Sequence, residues 1–287
     1  MVGWRVVGAA VTLVAAAFVP GSRVTAAGAG TSAVPNADPI GRWQAPAGYA
    51  AGQLSCGRFA ESVRTAIRGQ SGSARVTAHA GRNGILVVTA RDSGAVLALE
   101  AWYDSVSVWR AEGPDRLEPD TDGFLGGRYR GTLDRRGRYQ PSRTPYVPDD
   151  VAEVADLAGA LDEFFPRMAP TPLEPGREWR DSTTVIRRLN DRRQGGRRFQ
   201  RYQWTRKERT GERVEAGDSL AVTLDQLIDE TGELLWSPEY GPLTWSRRIA
   251  ITARIPATGG VKQGLRSVID QTVEVVRRTD LTGPCPT

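Results

Sequence analysis

Residues 95–110 read AVLALEAWYDSVSVWR and decide the fold class. The segment is rich in β-branched and aromatic residues and contains neither glycine nor proline, which is typical of a β-strand. Its odd and even positions are both largely apolar, with Glu100 and Asp104 as interruptions. A strand whose sheet is wet on one side should alternate cleanly between apolar and polar residues. We therefore expect both faces of this strand to be covered.

Three kinds of cover for the second face remain open at this point. A second sheet of the same chain, an apolar ligand held in a curved half-barrel, and a partner protein would each shield it from water. If the cover is a ligand, the residues expected to line its cavity are Val87, Leu97, Leu99, Trp102 and Trp109.

Glycine-containing dipeptides occur at intervals along the rest of the chain. They are Asn83-Gly84, Ser93-Gly94, Arg136-Gly137, Gly195-Gly196, Thr210-Gly211 and Thr231-Gly232. Asn-Gly suits a type I′ turn because both residues tolerate positive φ, and the other pairs are common in turns. Because each pair lies between segments of strand composition, the pattern predicts a meander of antiparallel strands.

One segment has helical instead of strand periodicity. Asp150 and Glu153 form a capping box, and apolar residues recur at helical spacing up to Phe165, before Pro166. We expect an amphipathic helix over residues 150–165 between two strand-rich halves, 58–146 and 177–280. The predicted class is α+β, mainly antiparallel β: a curved sheet or half-open barrel of long meandering strands, with this central helix packed on a face.

The N-terminal region indicates export. Arg5 precedes an apolar run over residues 6–19, and small residues follow near Ala26, which is typical of a cleaved signal peptide. We expect residues 1–26 to be that signal and residues 27–53, rich in Ala, Gly and Pro, to be a disordered tether. Residues 54–287 then form a single β-rich domain, located in the periplasm or outside the cell.

The chain contains two cysteines, Cys56 and Cys285. In an oxidising compartment an isolated pair is most simply a disulfide. A bridge that closes so long a loop stabilises by about 4–5 kcal/mol through chain entropy. The alternative is a pair of free, buried thiols.

Residues 187–213, RRLNDRRQGGRRFQRYQWTRKERTGER, form a dense basic stretch that we expect to be a hairpin. An exported protein rarely meets nucleic acid, so the expected partner is an anionic membrane surface or an acidic protein. The alternative is a solvated hairpin whose charges prevent edge-to-edge aggregation. The residues predicted to contact the partner are Arg192, Arg193, Arg197, Arg198, Arg201 and Arg206.

The residues that catalysis and metal binding need are scarce in this sequence. His79 is the single histidine and lies beside the predicted turn at Asn83-Gly84. The sequence has no phosphate-loop motif, and the run from Glu118 to Gly123 lacks the distal ligand of a calcium loop. We expect a protein that is not an enzyme and that uses neither a cofactor nor a metal ion.

Residues 164–179, FFPRMAPTPLEPGREW, resemble a pattern of helix end, prolines, glycine and tryptophan in exported bacterial β-rich proteins of unknown function. With a signal peptide, long antiparallel strands and a helix on one face, the layout is similar to the half-open barrels of exported carriers of lipids or lipoprotein acyl chains. This resemblance implies a carrier. Shape and cavity lining define those families, so it implies no individual site residues.

The sequence therefore favours an exported, non-catalytic binding protein that carries an apolar or amphiphilic ligand. One alternative is an accessory or scaffold subunit of a cell-envelope membrane complex, docked through the basic hairpin. Another is an envelope hydrolase with convergent carboxylates. A continuous apolar pocket would favour the carrier, and a filled core with a flat exposed patch would favour the subunit.

Overall fold

Twelve antiparallel strands form one sheet in this protein. The computed structural model describes residues 48–194, 197–215, 221–256 and 264–278, without the side chains of residues 194, 212–215, 221 and 222. The strands are β1 Gly57–Ser71, β2 Ala74–Ser93, β3 Val96–Glu112, β4 Asp115–Leu117, β5 Tyr129–Asp134, β6 Tyr139–Arg143, β7 Glu178–Arg180, β8 Thr184–Gln194, β9 Arg197–Glu215, β10 Ala221–Ser237, β11 Gly241–Ile255 and β12 Leu265–Arg277.

The strand order is that of two meanders joined at the middle. It runs β6-β5-β3-β2-β1-β12-β11-β10-β9-β8-β7, with the short β4 paired to β3. The first and last strands, β1 and β12, pair antiparallel from Phe59 opposite Arg277 to Ser71 opposite Leu265. The prediction of a mainly antiparallel β meander is confirmed.

The sheet curls until its two ends come close together. Arg136, in the turn between β5 and β6, places its guanidinium carbon 5.1 Å from the ring centroid of Trp179 in β7. Strands β6 and β7 are ten interstrand steps apart in the strand order, which in a flat sheet is about 48 Å. The sheet must therefore bend strongly around one face, which we call the inner face.

The chain between β6 and β7, residues 144–177, lies against the inner face, and we call it the connector. The ring of Phe164 packs 5.9 Å from Phe59 of β1 and 5.1 Å from Trp245 of β11. Arg188 of β8 donates a 3.0 Å hydrogen bond to the carbonyl of Leu173. Because these partners come from distant strands, the connector occupies the centre of the curled sheet, and its buried residues belong to the main core.

The prediction of a helix over residues 150–165 is wrong. A single helical turn, α1, covers Asp149–Ala152, and turns follow it. Side chains of the sheet bind carbonyls that a helix would use internally: Tyr129 donates to Leu157, and Arg110 donates to Glu153 at 3.4 Å. The apolar residues at helical spacing are indeed buried. They belong to a series of turns whose carbonyls are hydrogen-bonded by side chains of the sheet. These residues are Val151, Val154, Leu157, Leu161, Phe164 and Phe165.

A β-bulge explains why residues 95–110 are apolar at both odd and even positions. Ser105 pairs with Ile85, whereas Tyr103 pairs with Leu86, so Asp104 is the extra residue of β3. The bulge shifts the alternation by one residue. As a result, the odd-numbered Leu97, Leu99, Ala101 and Tyr103 and the even-numbered Val106 and Val108 all join the main core.

Only some of the glycine dipeptides are turns. Gly94 and Gly137 have φ of 75° and 89° and lie between strands, as predicted. The predictions of turns at Gly84, Gly211 and Gly232 are wrong, because these residues lie inside β2, β9 and β10. Two of them instead allow close packing: an added Cβ at Gly84 would lie 2.7 Å from the carbonyl oxygen of Ser105 and 3.1 Å from the Tyr103 ring, and one at Gly232 would overlap the indole of Trp204. Gly195-Gly196 lies outside the described residues.

Several predictions concern chain segments that the structure does not describe. They are the signal peptide, the tether up to residue 47, and Cys285, so the bond between Cys285 and Cys56 stays a prediction. The last residues of the expected tether are described and belong to the fold: Tyr49 is buried, and its hydroxyl donates a 3.0 Å hydrogen bond to the carbonyl of Pro166. Within the described ranges, no helix is long and apolar enough to cross a membrane.

Candidate ligand-binding face

The five residues predicted to line a ligand cavity lie on opposite faces of the sheet. Leu97 and Leu99 are buried in the main core on the inner face. Val87 and Trp102 are cross-strand partners, buried apart from that core on the outer face. Trp109 also faces outward, with its indole over Gly81. The five residues therefore do not enclose one cavity, and their role in ligand binding stays a prediction.

Arginines of the same chain cover the outward-facing tryptophans. The guanidinium carbon of Arg128 lies 3.7 Å from the ring centroid of Trp102, and that of Arg116 lies 4.6 Å from Trp109. The Nε atom of Arg128 is also 3.6 Å from a carboxylate oxygen of Glu100. Such stacking shields an aromatic face while the cation keeps its polar contacts. Neither tryptophan needs a second sheet to cover it.

The predicted basic hairpin is present as β8 and β9, with one exception among its six predicted contact residues. Arg192, Arg193, Arg197, Arg198 and Arg201 are exposed. Arg206 instead points to the inner face, where it pairs with glutamates. The alternation of β9 turns Arg206 inward beside Trp204, apart from the other five residues, and its contact with an external partner stays a prediction.

One carboxylate, Asp191, organises the end of this hairpin. It pairs with the buried Arg188 and with the exposed Arg198. Burial opposes ionisation of Asp191, but hydrogen bonds from these two arginines outweigh it and lower the pKa of the carboxyl group. Asp191 thereby links Arg188 of β8 to Arg198 of β9, while Arg192 and Arg193 next to it are exposed.

A band of charged residues crosses the inner face beside the connector. We call it the polar layer, and it consists of Glu163, Arg206, Glu208, Glu230 and Arg247. Glu163 of the connector lies 2.9 Å from Arg206 and 3.4 Å from Arg247. Glu208 lies 2.7 Å from Arg206, and Glu230 accepts a 2.9 Å hydrogen bond from Nε1 of Trp204. The layer ties the connector to β9, β10 and β11.

The charges of the polar layer satisfy one another. Burial opposes ionisation of Glu163, but Arg247 and then Arg206 outweigh it, so the pKa of the carboxyl group is lowered. Glu163 and Glu208 in turn raise the pKa of Arg206 against the effect of its burial. Arg167 is a third cation close enough to act on Glu163. Three cations thus face three carboxylates, which leaves no surplus positive charge.

A second charged group lies on the inner face of β1 and β2. Glu61 is 4% exposed, and its carboxylate lies 2.7 Å from Nε of Arg82 and accepts a hydrogen bond from the Tyr103 hydroxyl. Burial raises the pKa of Tyr103, and the nearby Arg82 only partly opposes this. The phenol therefore stays protonated and serves as a donor to Glu61.

Beyond the polar layer the inner face becomes apolar. Ile67, Ile269, Ile251 and Ile228 are successive cross-strand partners on β1, β12, β11 and β10, and we call them the isoleucine row. Three interstrand steps make the row about 14 Å wide. Ile249, Ala253 and Ile255 extend the surface along β11, because every second residue faces the same way.

The isoleucine row belongs to a cluster that is separate from the main core. Its buried members are Leu224, Ile249, Ile251, Ala253 and Ile269. The partly buried apolar residues packed against them are Ile67, Ile228, Ile255 and Leu265, all from β1, β10, β11 and β12. The main core, by contrast, includes residues of the connector. In the part of the chain that is described, the connector adds no apolar residue to the second cluster.

A cavity opens where this apolar surface reaches the ends of β11 and β12. Its volume is about 340 Å³. Two of its lining residues, Ile255 and Leu265, pack against the second apolar cluster. The polar side chains among those that line it are Gln70, Asp225, Arg254 and Arg266. These four polar residues form one cross-strand row on the outer face of the sheet, whereas Ile255 and Leu265 lie on the inner face.

No constellation for catalysis or metal binding is evident in the described ranges. His79 is exposed on β2. Glu100 and Asp104 of β3 each lie within 3.6 Å of an arginine, Arg128 and Arg58. No group of three or more His, Cys, Asp or Glu side chains is placed to hold a metal ion among the described residues.

The sequence carries a clear signal for the β11 part of the isoleucine row. Residues 248–255 read RIAITARI, in which isoleucine or alanine on one face alternates with arginine, alanine or threonine on the other. That period of two predicts a strand with one apolar face. What the sequence could not show is that this face continues across three further strands, since that depends on register.

No known sequence family matches the chain, and no curated protein matches it. A solved structure concerning lipid–protein interactions in lipovitellin is similar at 12% identity with a TM-score of 0.41, over 78% of this chain. This chain spans 25% of the length of that one. An exported protein with a YmcC-like fold from Bacteroides fragilis NCTC 9343 is similar at 12% identity with a TM-score of 0.19, over 73% of this chain and 93% of the other.

TM-scores below 0.5 do not establish a shared fold. The described residues themselves define the class: an all-β protein whose single antiparallel sheet curls around its own connector. Its inner face has two parts, a filled core with charged side chains at its margin and an apolar surface formed by the isoleucine row.

Proposed function

We propose that this protein is a non-catalytic binding protein for a ligand with a long apolar chain, held against the isoleucine row. The observation that supports the proposal most directly is the in-register row Ile67–Ile269–Ile251–Ile228 on the inner face, beyond the end of the main core. Ile251 and Ile269 are buried at the centre of the row, and Ile67 and Ile228 at its two ends remain partly exposed, where a ligand chain would add apolar cover. The polar layer limits the surface on the side of the connector.

The chemistry of the surface favours an apolar ligand over a reacting substrate. The cluster that contains the row consists only of isoleucine, leucine and alanine among the described residues. Such a surface binds a ligand by burying the ligand's apolar area, and it offers no polar group for specific hydrogen bonds. The nearest carboxylates, in the polar layer, are already bound by arginine or tryptophan. An apolar chain is therefore the occupant that fits.

Two adjacent residues of β10 allow a sharp test with an uncharged fluorescent long-chain alcohol as the probe. Ile228 faces the inner surface, and its neighbour Leu227 faces outward and is 50% exposed. We expect Ile228→Gln to weaken probe binding about tenfold, because lost apolar contact of about 1.4 kcal/mol has that effect. Leu227→Gln should leave the affinity unchanged.

The stability of each variant is followed by circular dichroism, so that loss of binding is not confused with loss of the fold. If Ile228→Gln is unstable, Ile67→Gln repeats the test from β1, where Ile67 is also only partly buried. Equal probe affinity in the Ile228 and Leu227 variants would contradict the proposal, as would no binding to the unmodified protein.

A second function, attachment to an anionic membrane surface, is supported by the basic hairpin. Arg192, Arg193 and Arg201 are exposed, and none forms an ion pair with a carboxylate of the described residues. Each cation near an anionic membrane contributes about 1 kcal/mol. Replacing all three by glutamine should weaken binding to vesicles rich in anionic phospholipid about 100-fold at low salt.

The matched control replaces three exposed arginines elsewhere, Arg64, Arg91 and Arg248, by glutamine. This variant carries the same net charge, so it should bind the vesicles almost as well as the unmodified protein. Equal loss in both variants would show that overall charge governs the attachment. Vesicles that bind neither protein would contradict the membrane as the partner.

A further inference from the structure

A small cavity lies between the connector and the inner face, where the polar layer meets the main core. Its volume is about 40 Å³, more than the roughly 10–15 Å³ that one water molecule needs. Residues 163–167 of the connector form one side of it. The strand residues that line the other side are Thr184, Trp204, Arg206, Glu230, Trp245 and Arg247. The cavity therefore has room for a small polar group.

Two buried N–H groups of this lining have no hydrogen-bond partner among the described residues. They are Nε1 of Trp245 and Nε of Arg247. Trp245 is 3% exposed, and its ring packs against Phe59 and Phe164 at centroid distances of 5.5 and 5.1 Å. Buried polar groups in folded proteins are nearly always hydrogen-bonded. The two donors therefore indicate a site for a hydrogen-bond acceptor.

The carboxylates that line the cavity are already engaged. Glu163 pairs with Arg206 and with the NH1 group of Arg247, and Glu230 accepts a hydrogen bond from Trp204. The polar layer as a whole sets three carboxylates against three cations, so it has no surplus positive charge. The cavity thus has unpartnered donors without an excess of charge, which suits a neutral acceptor better than an anion.

The two donors lie on the same face of the sheet as the isoleucine row. The inward-facing residues of β11 from the cavity to the row are Trp245, Arg247, Ile249 and Ile251, and the register of β11 with β12 is unbroken over this stretch. Four residues separate Arg247 from Ile251, which is about 13 Å along the strand. A ligand with its head in the cavity can therefore lay its chain on the row without crossing the sheet.

We propose that the cavity binds the carbonyl oxygen of an uncharged lipid ester, whose apolar chain packs on the isoleucine row. A carbonyl oxygen has two lone pairs and can accept one hydrogen bond from each of the two donors. A hydroxyl group would bring a further donor, and the carboxylates of the cavity are already occupied. This inference rests on the proposed function and adds to it the chemical class of the head group and the direction in which the ligand lies.

The test compares a long-chain methyl ester with the alkane of equal length, each measured by displacement of the fluorescent long-chain alcohol. A hydrogen bond is worth about fivefold in affinity, so two of them should make the ester bind about 25-fold more tightly than the alkane. Trp245→Phe keeps an aromatic ring and removes the N–H group. It should lose about fivefold for the ester and nothing for the alkane.

A long-chain fatty acid, ionised at neutral pH, tests the charge of the head group. It should bind no more tightly than the ester, because the polar layer has no cation to spare for a second carboxylate beside Glu163.

Trp236→Phe is the matched control. Nε1 of Trp236 is also buried without a partner among the described residues, but Trp236 is not part of the cavity lining. This variant should leave the affinities for ester and alkane unchanged. If Trp245→Phe is unstable by circular dichroism, Arg247→Lys repeats the test, since lysine keeps a cation beside Glu163 and lacks Nε.

Infrared spectroscopy of an ester with a ¹³C-labelled carbonyl group gives an independent measurement. Hydrogen bonding lowers the stretching frequency of a carbonyl group, so the bound ester should absorb at a lower frequency than the ester in an apolar solvent. Trp245→Phe should shift the absorption back toward that of the free ester, and Trp236→Phe should not.

The outcomes separate this inference from the proposed function. Equal affinity for ester and alkane, unchanged by Trp245→Phe, would overturn the carbonyl site and leave the apolar ligand standing. Equal losses in the Trp245 and Trp236 variants, or tighter binding of the fatty acid than of the ester, would also overturn the carbonyl site. Failure of both ester and alkane to bind the unmodified protein would overturn the proposed function itself.

Discussion

The indole ring of Trp204 in β9 lies so close to its cross-strand partner Gly232 in β10 that a Cβ on Gly232 would overlap it. Nε1 of Trp204 donates a hydrogen bond to Glu230, which lies two residues before Gly232 in β10, and this bond holds the ring in place. Glycine is therefore required at this position by the space that the ring occupies, although strand interiors usually disfavour it.

Gly232→Ala should destabilise the protein by about 2–3 kcal/mol, because the ring must move and strain its surroundings. The control is Gly211→Ala in β9, where the added Cβ would meet Asp225 Oδ1 at an ordinary 3.5 Å. That variant should stay within about 0.5 kcal/mol of the unmodified protein. Urea unfolding measures both, and equal stability of the two variants would show that the packing is looser than described.

The closure of the sheet can be measured as a distance. Arg138 and Arg180 are exposed positions next to the contact between Arg136 and Trp179. Spin labels on cysteines introduced at Arg138 and Arg180 should lie far closer together than the about 48 Å that a flat sheet would give. Pulsed electron paramagnetic resonance gives this distance directly. A value near that of the flat sheet would contradict the curled sheet.

Glu163 should make the free energy of unfolding depend on pH in the acid range. Its pKa is lowered in the folded protein, despite burial, by Arg247 and Arg206. The stability that it contributes is therefore fully present above its ordinary value of 4.5 and is lost as the pH falls through the lowered folded pKa. Glu163→Gln should cost about 1–2 kcal/mol at neutral pH and flatten this acid dependence.

Urea unfolding between pH 7 and about pH 3 tests this expectation, with Glu274→Gln on the exposed outer face as the control. The control should keep the acid dependence of the unmodified protein. If Glu163→Gln kept it as well, the contacts of Glu163 with Arg206 and Arg247 would not be a source of the pH effect.

Tyr103→Phe should remove the hydroxyl that donates to the buried Glu61. A hydrogen bond to a buried charge contributes about 1.5–3 kcal/mol, so the free energy of unfolding should fall by that amount. Tyr146→Phe is the matched control, because Tyr146 is 77% exposed, and its change should stay within about 0.5 kcal/mol. Equal changes in the free energy of unfolding for the two variants would mean that the hydrogen bond from Tyr103 to Glu61 does not stabilise the fold.

Local sequence patterns predict the strands well and the positions of their turns poorly. The apolar run at residues 95–110 is a strand, and the basic stretch is a hairpin, because both depend on neighbouring residues alone. Gly84 and Gly232 lie inside strands instead of turns, where an added Cβ would meet the Ser105 carbonyl and the Trp204 indole. That use of glycine depends on which strands become neighbours, which the sequence does not reveal.

The structure of the connector is even harder to predict from local sequence patterns. Its apolar residues recur at helical spacing, yet most of it forms turns, since Tyr129 and Arg110 reach its carbonyls from distant strands. The bulge at Asp104 likewise depends on the pairing of β3 with β2. Of the candidate site, the alternation at residues 248–255 is visible in the sequence, whereas its continuation through Ile269 to Ile67 requires the register.

Native mass spectrometry of the protein, purified gently from the cells that produce it, tests the apolar-ligand proposal most directly. The proposal predicts a monomer that carries additional mass of lipid size, which organic extraction removes and which Ile228→Gln reduces. A monomer with the mass of the polypeptide alone, under conditions that keep the fold intact, would contradict the claim that the isoleucine row holds an apolar ligand.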